Sequence, residues 1–197
     1  MKKYELVGTD KKTPLGKPLF QVVALRDFGD VRKGDKGGYI ESTDNLSNEG
    51  NCWVSENAFV FDNARVSENA FVFGEALVFG GAFVFGEAQV FDGAFVHNDA
   101  QVYGDSRVFG EAWVFGNAEV FQNAQVCGNV LVYGNSRVFG NAEVYGDAEI
   151  YGTTELAGGH VAQKTTATAH NPHPTLKPKT CHGGQTGKFC SECGEKL

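Results

Sequence analysis

Valine returns at every sixth position from Val54 to Val144, and Ile150 and Leu156 continue the series, so eighteen hexads follow one another unbroken. An α-helix cannot keep this phase on one face, because at 3.6 residues per turn each step of six swings the side chain by about 240°. An extended chain can. Ala sits two residues before most of these valines, from Ala58, Ala64 and Ala70 onward, with Ser106, Val130, Ser136 and Thr154 as small-residue lapses. The unit reads Ala-x-Val-aromatic, followed by two residues drawn mainly from Gly, Asp, Asn and Glu. In a strand, Ala and Val share one side, and x and the aromatic share the other. The next two residues turn the chain, since Gly and Asn tolerate positive φ. Pro, which would interrupt a ladder of backbone hydrogen bonds, is absent from 19 to 171. A short strand and a corner in strict phase predict a coil of parallel strands with Ala and Val stacked inside. A repeat that stayed disordered would lack this density of buried-type residues.

The spacing resembles that of the hexapeptide-repeat family. The resemblance implies an all-β left-handed parallel β-helix in which three hexads make one triangular coil. Residues 46–157 then supply about six coils, a prism on the order of 28 Å long at ~4.8 Å per stacked strand. Upstream, Phe20-Gln-Val-Val-Ala-Leu-Arg-Asp-Phe-Gly-Asp, Gly37-Gly-Tyr-Ile and Leu46-Ser-Asn-Glu-Gly-Asn-Cys-Trp-Val run straight into the hexads. That stretch resembles the N-terminal cap of uncharacterised bacterial and prophage hexapeptide proteins, which carry an acetyltransferase label on fold analogy. Residues 1–45 are expected to form a β cap, with strands at Tyr4–Val7 and Leu19–Leu25 and a loop at Lys11–Pro18. Its physical task is to cover the open sheet edge of the first coil; a separate ligand site there is the alternative.

A period of 18 sorts the outward residues onto three faces. Two are mixed. The other carries Phe59/Phe61, Leu77/Phe79, Phe95/His97, Trp113/Phe115, Leu131/Tyr133 and Glu149/Tyr151, and only His97 and Glu149 interrupt its apolar and aromatic run. Phe59, Phe61, Leu77, Phe79, Phe95, His97, Trp113, Phe115, Leu131 and Tyr133 are therefore the candidate oligomer interface. Left wet, they would exceed the apolar patch that monomers ordinarily expose, and they could cover about 800 Å², one partner's share of a standard interface. Self-association, the C-terminal tail folding across the face, and an outside partner or apolar ligand are the three ways to cover it. By the resemblance, self-association would give trimers. Aromatics recur on the other faces too, where stacking between neighbouring coils is expected; stacking on the bases of a small nucleotide is the alternative.

By the same resemblance, hexapeptide acyltransferases are trimers that use a catalytic His at a subunit interface and commonly extrude a loop from the coils. This chain has no interruption between 54 and 156 and one His in the prism, His97, with Asp99 two residues on. His97 is either a general base oriented by Asp99 or an interface histidine making one hydrogen bond. Carbonic anhydrases of this fold require three His. Ice-binding β-helices display Thr ladders, and no Thr occurs from 44 to 152. Residues 52–157 hold 14 Asp and Glu against three Arg, a net of -11 within a whole-chain net of -7. That balance disfavours nucleic-acid binding. It is also too sparse and too dispersed for mimicry of duplex DNA, which carries roughly 16 charges over that length.

After Leu156 the phase fails. Residues 158–180, with Pro172, Pro174 and Pro178, read as a linker. Residues 181–197 contain three of the five cysteines, and Phe189-Cys-Ser-Glu-Cys-Gly resembles the second knuckle of a zinc ribbon. Cys181, Cys190 and Cys193 are the expected zinc thiolates. His173 or His182 is the fourth ligand, with His173 preferred because chelation by the adjacent Cys181 and His182 is awkward. No apolar run reaches the length of a membrane helix and Met1–Asp10 has no signal-peptide core, so a cytoplasmic address is expected. Two function classes stand at this point. One is a non-catalytic oligomeric binding or scaffold protein with a structural zinc. The other is an acyltransferase using acetyl-CoA at a subunit interface.

Overall fold

The computed structural model describes residues 2–162, and it is a parallel β-solenoid with almost no helix. Three strands open the chain: β1 (Tyr4–Lys12), β2 (Pro18–Ala24) and β3 (Lys36–Ile40). From Trp53 onward a short strand forms at every hexad, and pairing is parallel throughout the coils. Val54 aligns with Val72, Val72 with Val90, and Val90 with Val108, a step of 18 residues per coil. Residues one coil apart therefore stack directly, so the inward valines and alanines form continuous columns. Val60, Val78, Val96, Val114 and Val132 are all fully buried, as are Ala58, Ala76, Ala94 and Ala112.

The solenoid is about seven turns long, one more than the eighteen hexads supply. The extra rung comes from residues assigned by sequence to the cap. β3 pairs in parallel with Phe59–Val60, aligning Ile40 with Val60, and Leu46 bridges to Val66. Gly37 and Gly38 permit this. A Cβ on Gly37 would sit 2.3 Å from the Val54 carbonyl oxygen, and one on Gly38 would sit 2.6 Å from that of Ala58. β1 and β2 then continue the same sheet as an antiparallel hairpin beyond β3. β1 runs on to Lys12, so the hairpin turn is confined to Thr13–Lys17, where Gly16 N–H donates to the Thr13 carbonyl. At the other end the last strand is Glu155–Val161, paired beside Arg137–Val144. The stretch expected to be linker from residue 158 therefore begins as strand.

The corners obey one rule. Every sixth residue from 56 to 152 has φ between 55° and 85°. At Gly74 a Cβ would meet the Asp92 amide nitrogen at 2.7 Å, so the tight stack itself favours glycine. Where a side chain occupies such a corner, it is Glu, Asp, Asn or Gln, and several reach the next coil. Glu56 Oε2 accepts from the Gly74 N–H at 2.9 Å, and Gln122 Oε1 from that of Gly140 at 2.8 Å. Among the described residues no helix is long and apolar enough to cross a membrane.

Candidate functional site: the aromatic face and its histidine

The sheet containing β3 carries the candidate face. Its register places Phe59, Leu77, Phe95, Trp113 and Leu131 in one column. The second column is a stack of rings. Phe61, Phe79, His97, Phe115, Tyr133 and Tyr151 succeed one another at centroid spacings of 5.1, 4.8, 5.1, 5.0 and 5.4 Å. The first four intervals keep the ring planes within 4° of parallel. The strand spacing of a parallel sheet is what sets this separation. In the first column Phe95 and Trp113 stack at 4.6 Å, and Trp113 meets the His97 ring at 82°, so its plane stands across the neighbouring stack.

This geometry alters the expectation of a wet apolar face. Ring faces are consumed by stacking, and Trp113 covers an edge of the His97 ring. Phe61, Leu77, Phe95 and His97 are buried within the single chain, at 5–8% exposure. The other six face residues are half-buried, and none is among the exposed large hydrophobics. Leu19 of β2 joins the buried cluster that continues through Phe61, Leu77 and Phe95, so the hairpin covers the N-terminal end of the face. Lys11 adds its ammonium over Tyr39 and Phe59, at 4.6 and 5.4 Å from the ring centroids. The mixed faces hold shorter stacks of the same kind: Phe73–Phe91–Phe109, and Phe85–Tyr103–Phe121–Phe139.

His97 occupies the middle of the long stack at 5% exposure. Its Nδ1 donates to Asn98 Oδ1 at 3.1 Å, and Nε2 is buried without a hydrogen-bond partner among the described residues. The sequence offered Asp99 as the orienting group. Asp99 instead turns to the corner, where its Oδ1 lies against Gly81. The neutral amide of Asn98 cannot stabilise an imidazolium as a carboxylate would. Burial pulls the His97 pKa below the usual histidine range, and the Asn98 contact only partly opposes this. The ring is thus a neutral member of an aromatic stack, with its free nitrogen sealed from solvent.

Two polar sites lie at the cap end. A cleft of about 520 Å³ is lined by Lys17, Glu41, Ser42, Asp44, Asp62, Asn63 and Arg65. Lys17 bridges Glu41 at 2.8 Å and Asp62 at 3.4 Å across it, pinning the hairpin turn to the first corner. Deeper, Lys3 is fully buried beside Cys52, with Nζ 3.2 Å from Sγ. The sequence alone does not reveal this pair, because an N-terminal lysine has no signature that separates it from solvated ones.

Cys181, Cys190, Cys193, His173 and His182 lie outside the described residues. Among the described residues no group of His, Cys, Asp or Glu is arranged to hold a metal ion.

Comparison with known proteins supports the repeat architecture. A model of the YdcK β-solenoid repeat matches residues 124–140. The chain is similar to a protein of Escherichia coli (strain K12) described as "Uncharacterized acetyltransferase YdcK", 40% identical over 62 residues. That match covers 31% of this chain and 18% of the relative, so the chain spans less than a fifth of the relative's length.

Proposed function

We propose that this chain is a non-catalytic β-solenoid scaffold that assembles with copies of itself through the aromatic face and carries a structural zinc in its tail. The observation that supports the reading is the face itself. Two columns of large side chains run in register over five coils with no loop extruded between them, and they present a flat array of half-buried ring edges. A flat, pre-ordered surface loses little entropy on docking, since stacking already fixes its rotamers. A trimer is the assembly that the hexapeptide resemblance implies. For zinc, three thiolates and an imidazole are the donor set of a structural site.

A second reading, acyl transfer from acetyl-CoA, is favoured by the acetyltransferase description of the E. coli relative. On the aromatic face the residues do not fit it: His97 has its free nitrogen sealed and no carboxylate behind it. Among the described residues, the imidazole that this reading would have to use is His160 of the last strand, exposed and 2.9 Å from the Glu143 carboxylate, away from that face. Native mass spectrometry of protein purified from cells tests both readings, together with calorimetry against coenzyme A. The scaffold reading expects a multimer, one zinc per subunit and no heat of coenzyme A binding. Saturable coenzyme A binding that is lost in His97→Phe or His160→Phe would replace it with the acyltransferase.

A further inference from the structure

A fully buried lysine needs partners for its charge. Among the described residues Lys3 has no carboxylate in contact. Its Nζ donates to the Cys52 carbonyl at 2.9 Å and to that of Glu49 at 3.4 Å, lies 3.2 Å from Cys52 Sγ, and sits 5.1 Å from the centre of the Phe28 ring. Cys52 is equally buried, and its Sγ also faces the Ser47 and Glu49 carbonyls at 3.5 and 3.6 Å. The pair is roofed by Asn48–Asn51, an exposed segment. This segment holds the two residues by which the first coil exceeds the hexad phase, since Leu46 and Val54 are eight apart.

We infer that Lys3 and Cys52 form a site of oxidative cross-linking, in which hydrogen peroxide converts the Cys52 thiol to a sulfenic acid and the Lys3 amine condenses with it into a nitrogen–sulfur bond. Burial lowers the Lys3 pKa and raises that of Cys52, each partly offset by the other, which favours amine and thiol over ammonium and thiolate. Both forms serve the chemistry. In the first step Nζ takes the Sγ proton, the sulfur attacks one peroxide oxygen, and the O–O bond breaks. The departing hydroxide recovers the proton from Nζ as water. Sulfur is oxidised by two electrons and peroxide is reduced. In the second step the Nζ lone pair attacks sulfur, the S–O bond breaks, and the hydroxyl leaves with an amine proton as a second water. The product is two hydrogen atoms lighter than the reduced chain. Peroxide reaches the sulfur when the Asn48–Asn51 roof opens. The link would tie β1 covalently to the strand that begins the regular coils, making the cap a redox-lockable end.

The test is peptide mapping of the full chain after hydrogen peroxide treatment, digested without reductant. The expected result is a species joining the Lys3 and Cys52 peptides, lighter by two hydrogens and released by thiol reductant. The linked protein should melt several degrees above the reduced one. Cys127, half-buried beside the Glu143 carboxylate rather than an amine, is the internal comparator and should not link to lysine. Lys3→Arg keeps a long basic side chain but is a poor nucleophile, and it should leave Cys52 as a trappable sulfenic acid or a higher oxide. The wild-type map decides the matter even if that variant folds poorly. Cys52 that stays reduced, or passes to sulfinic acid with Lys3 unmodified, overturns the proposal. A link that retains the peroxide oxygen overturns its condensation step.

Discussion

At the scale of residues, two positions in neighbouring hexads test the inward and outward sides of the coil. Val102 points inward and is fully buried in its column. Val102→Asp would place a carboxylate there without a partner, at a cost of several kcal/mol. The expected outcome is loss of cooperative melting, and a Tm within a degree or two of the parent would show that valine is not the inward residue. His97 points outward, yet is just as inaccessible. Its folded pKa lies below the unfolded value of about 6.5. The unfolded chain therefore binds the proton more readily, and stability falls as pH drops through the usual histidine range toward the folded pKa. His97→Phe continues the stack between Phe79 and Phe115 and removes the unpartnered Nε2. It should stabilise the protein by about 1 kcal/mol at neutral pH and abolish that part of the acid loss. Equal pH profiles of Tm for variant and parent would show that His97 is not the titrating group.

Among elements, the first coil is the one that breaks the repeat, and a buried asparagine holds it. Asn45 Oδ1 accepts from the Glu41 and Ser42 amides at 3.1 and 2.8 Å, while Nδ2 donates to the Asp62 and Ala64 carbonyls at 3.0 and 2.9 Å. It thus ties the 3-10 turn Thr43–Asn45 to the corner of the next coil. Tyr4 adds a 2.6 Å hydrogen bond to the Leu46 carbonyl, and burial pushes its hydroxyl pKa up to about 12. Asn45→Ala leaves the Ser42 amide and the Asp62 and Ala64 carbonyls short of partners, while the Glu41 amide keeps the Val60 carbonyl. It should cost about 2–4 kcal/mol and lower Tm by roughly 5–10 °C. Hydrogen exchange should locate the loss at residues 41–46, and uniform loss along the solenoid would contradict this local role. Ile40 and Leu46 already stand six apart, as the later valines do. The phase of the first coil was therefore visible in the sequence, and only the eight-residue step to Val54 hid it.

For the whole molecule, the open question is what the aromatic face meets. Trp113 stands at its centre, half-buried and crossed over the His97 ring. Buried aromatics at an interface centre hold much of its binding energy. Trp113→Glu should dissociate the proposed self-assembly while the β-sheet circular dichroism persists, because the inward columns are untouched. Gln101→Glu, exposed on a mixed face, should leave the mass unchanged. Light scattering decides between them, and the parent mass in Trp113→Glu would move self-association to another surface. Zinc is expected at one ion per subunit. Cys190→Ser or Cys193→Ser should each lose the metal and keep the sheet signal, whereas metal content unchanged in both would remove the ribbon.

The six-residue period by itself determined the solenoid, its inward columns and its corners, and the three-hexad coil implied by the hexapeptide resemblance set the membership of each face. Strand alternation and an 18-residue coil leave a side chain no other direction. The tertiary structure alone decided how exposed those faces are. Stacking at the strand spacing buries ring surface that the sequence counted as wet, because neighbours 18 residues apart lie one rung away. It also decided the chemistry of His97, whose partner proved to be Asn98 and not Asp99, since corner geometry turns the carboxylate outward. The pairing of Lys3 with Cys52 was likewise beyond the sequence. The two stand 49 residues apart, on either side of the N-terminal hairpin, and only the folding of β1 over the first coil brings amine and thiol together.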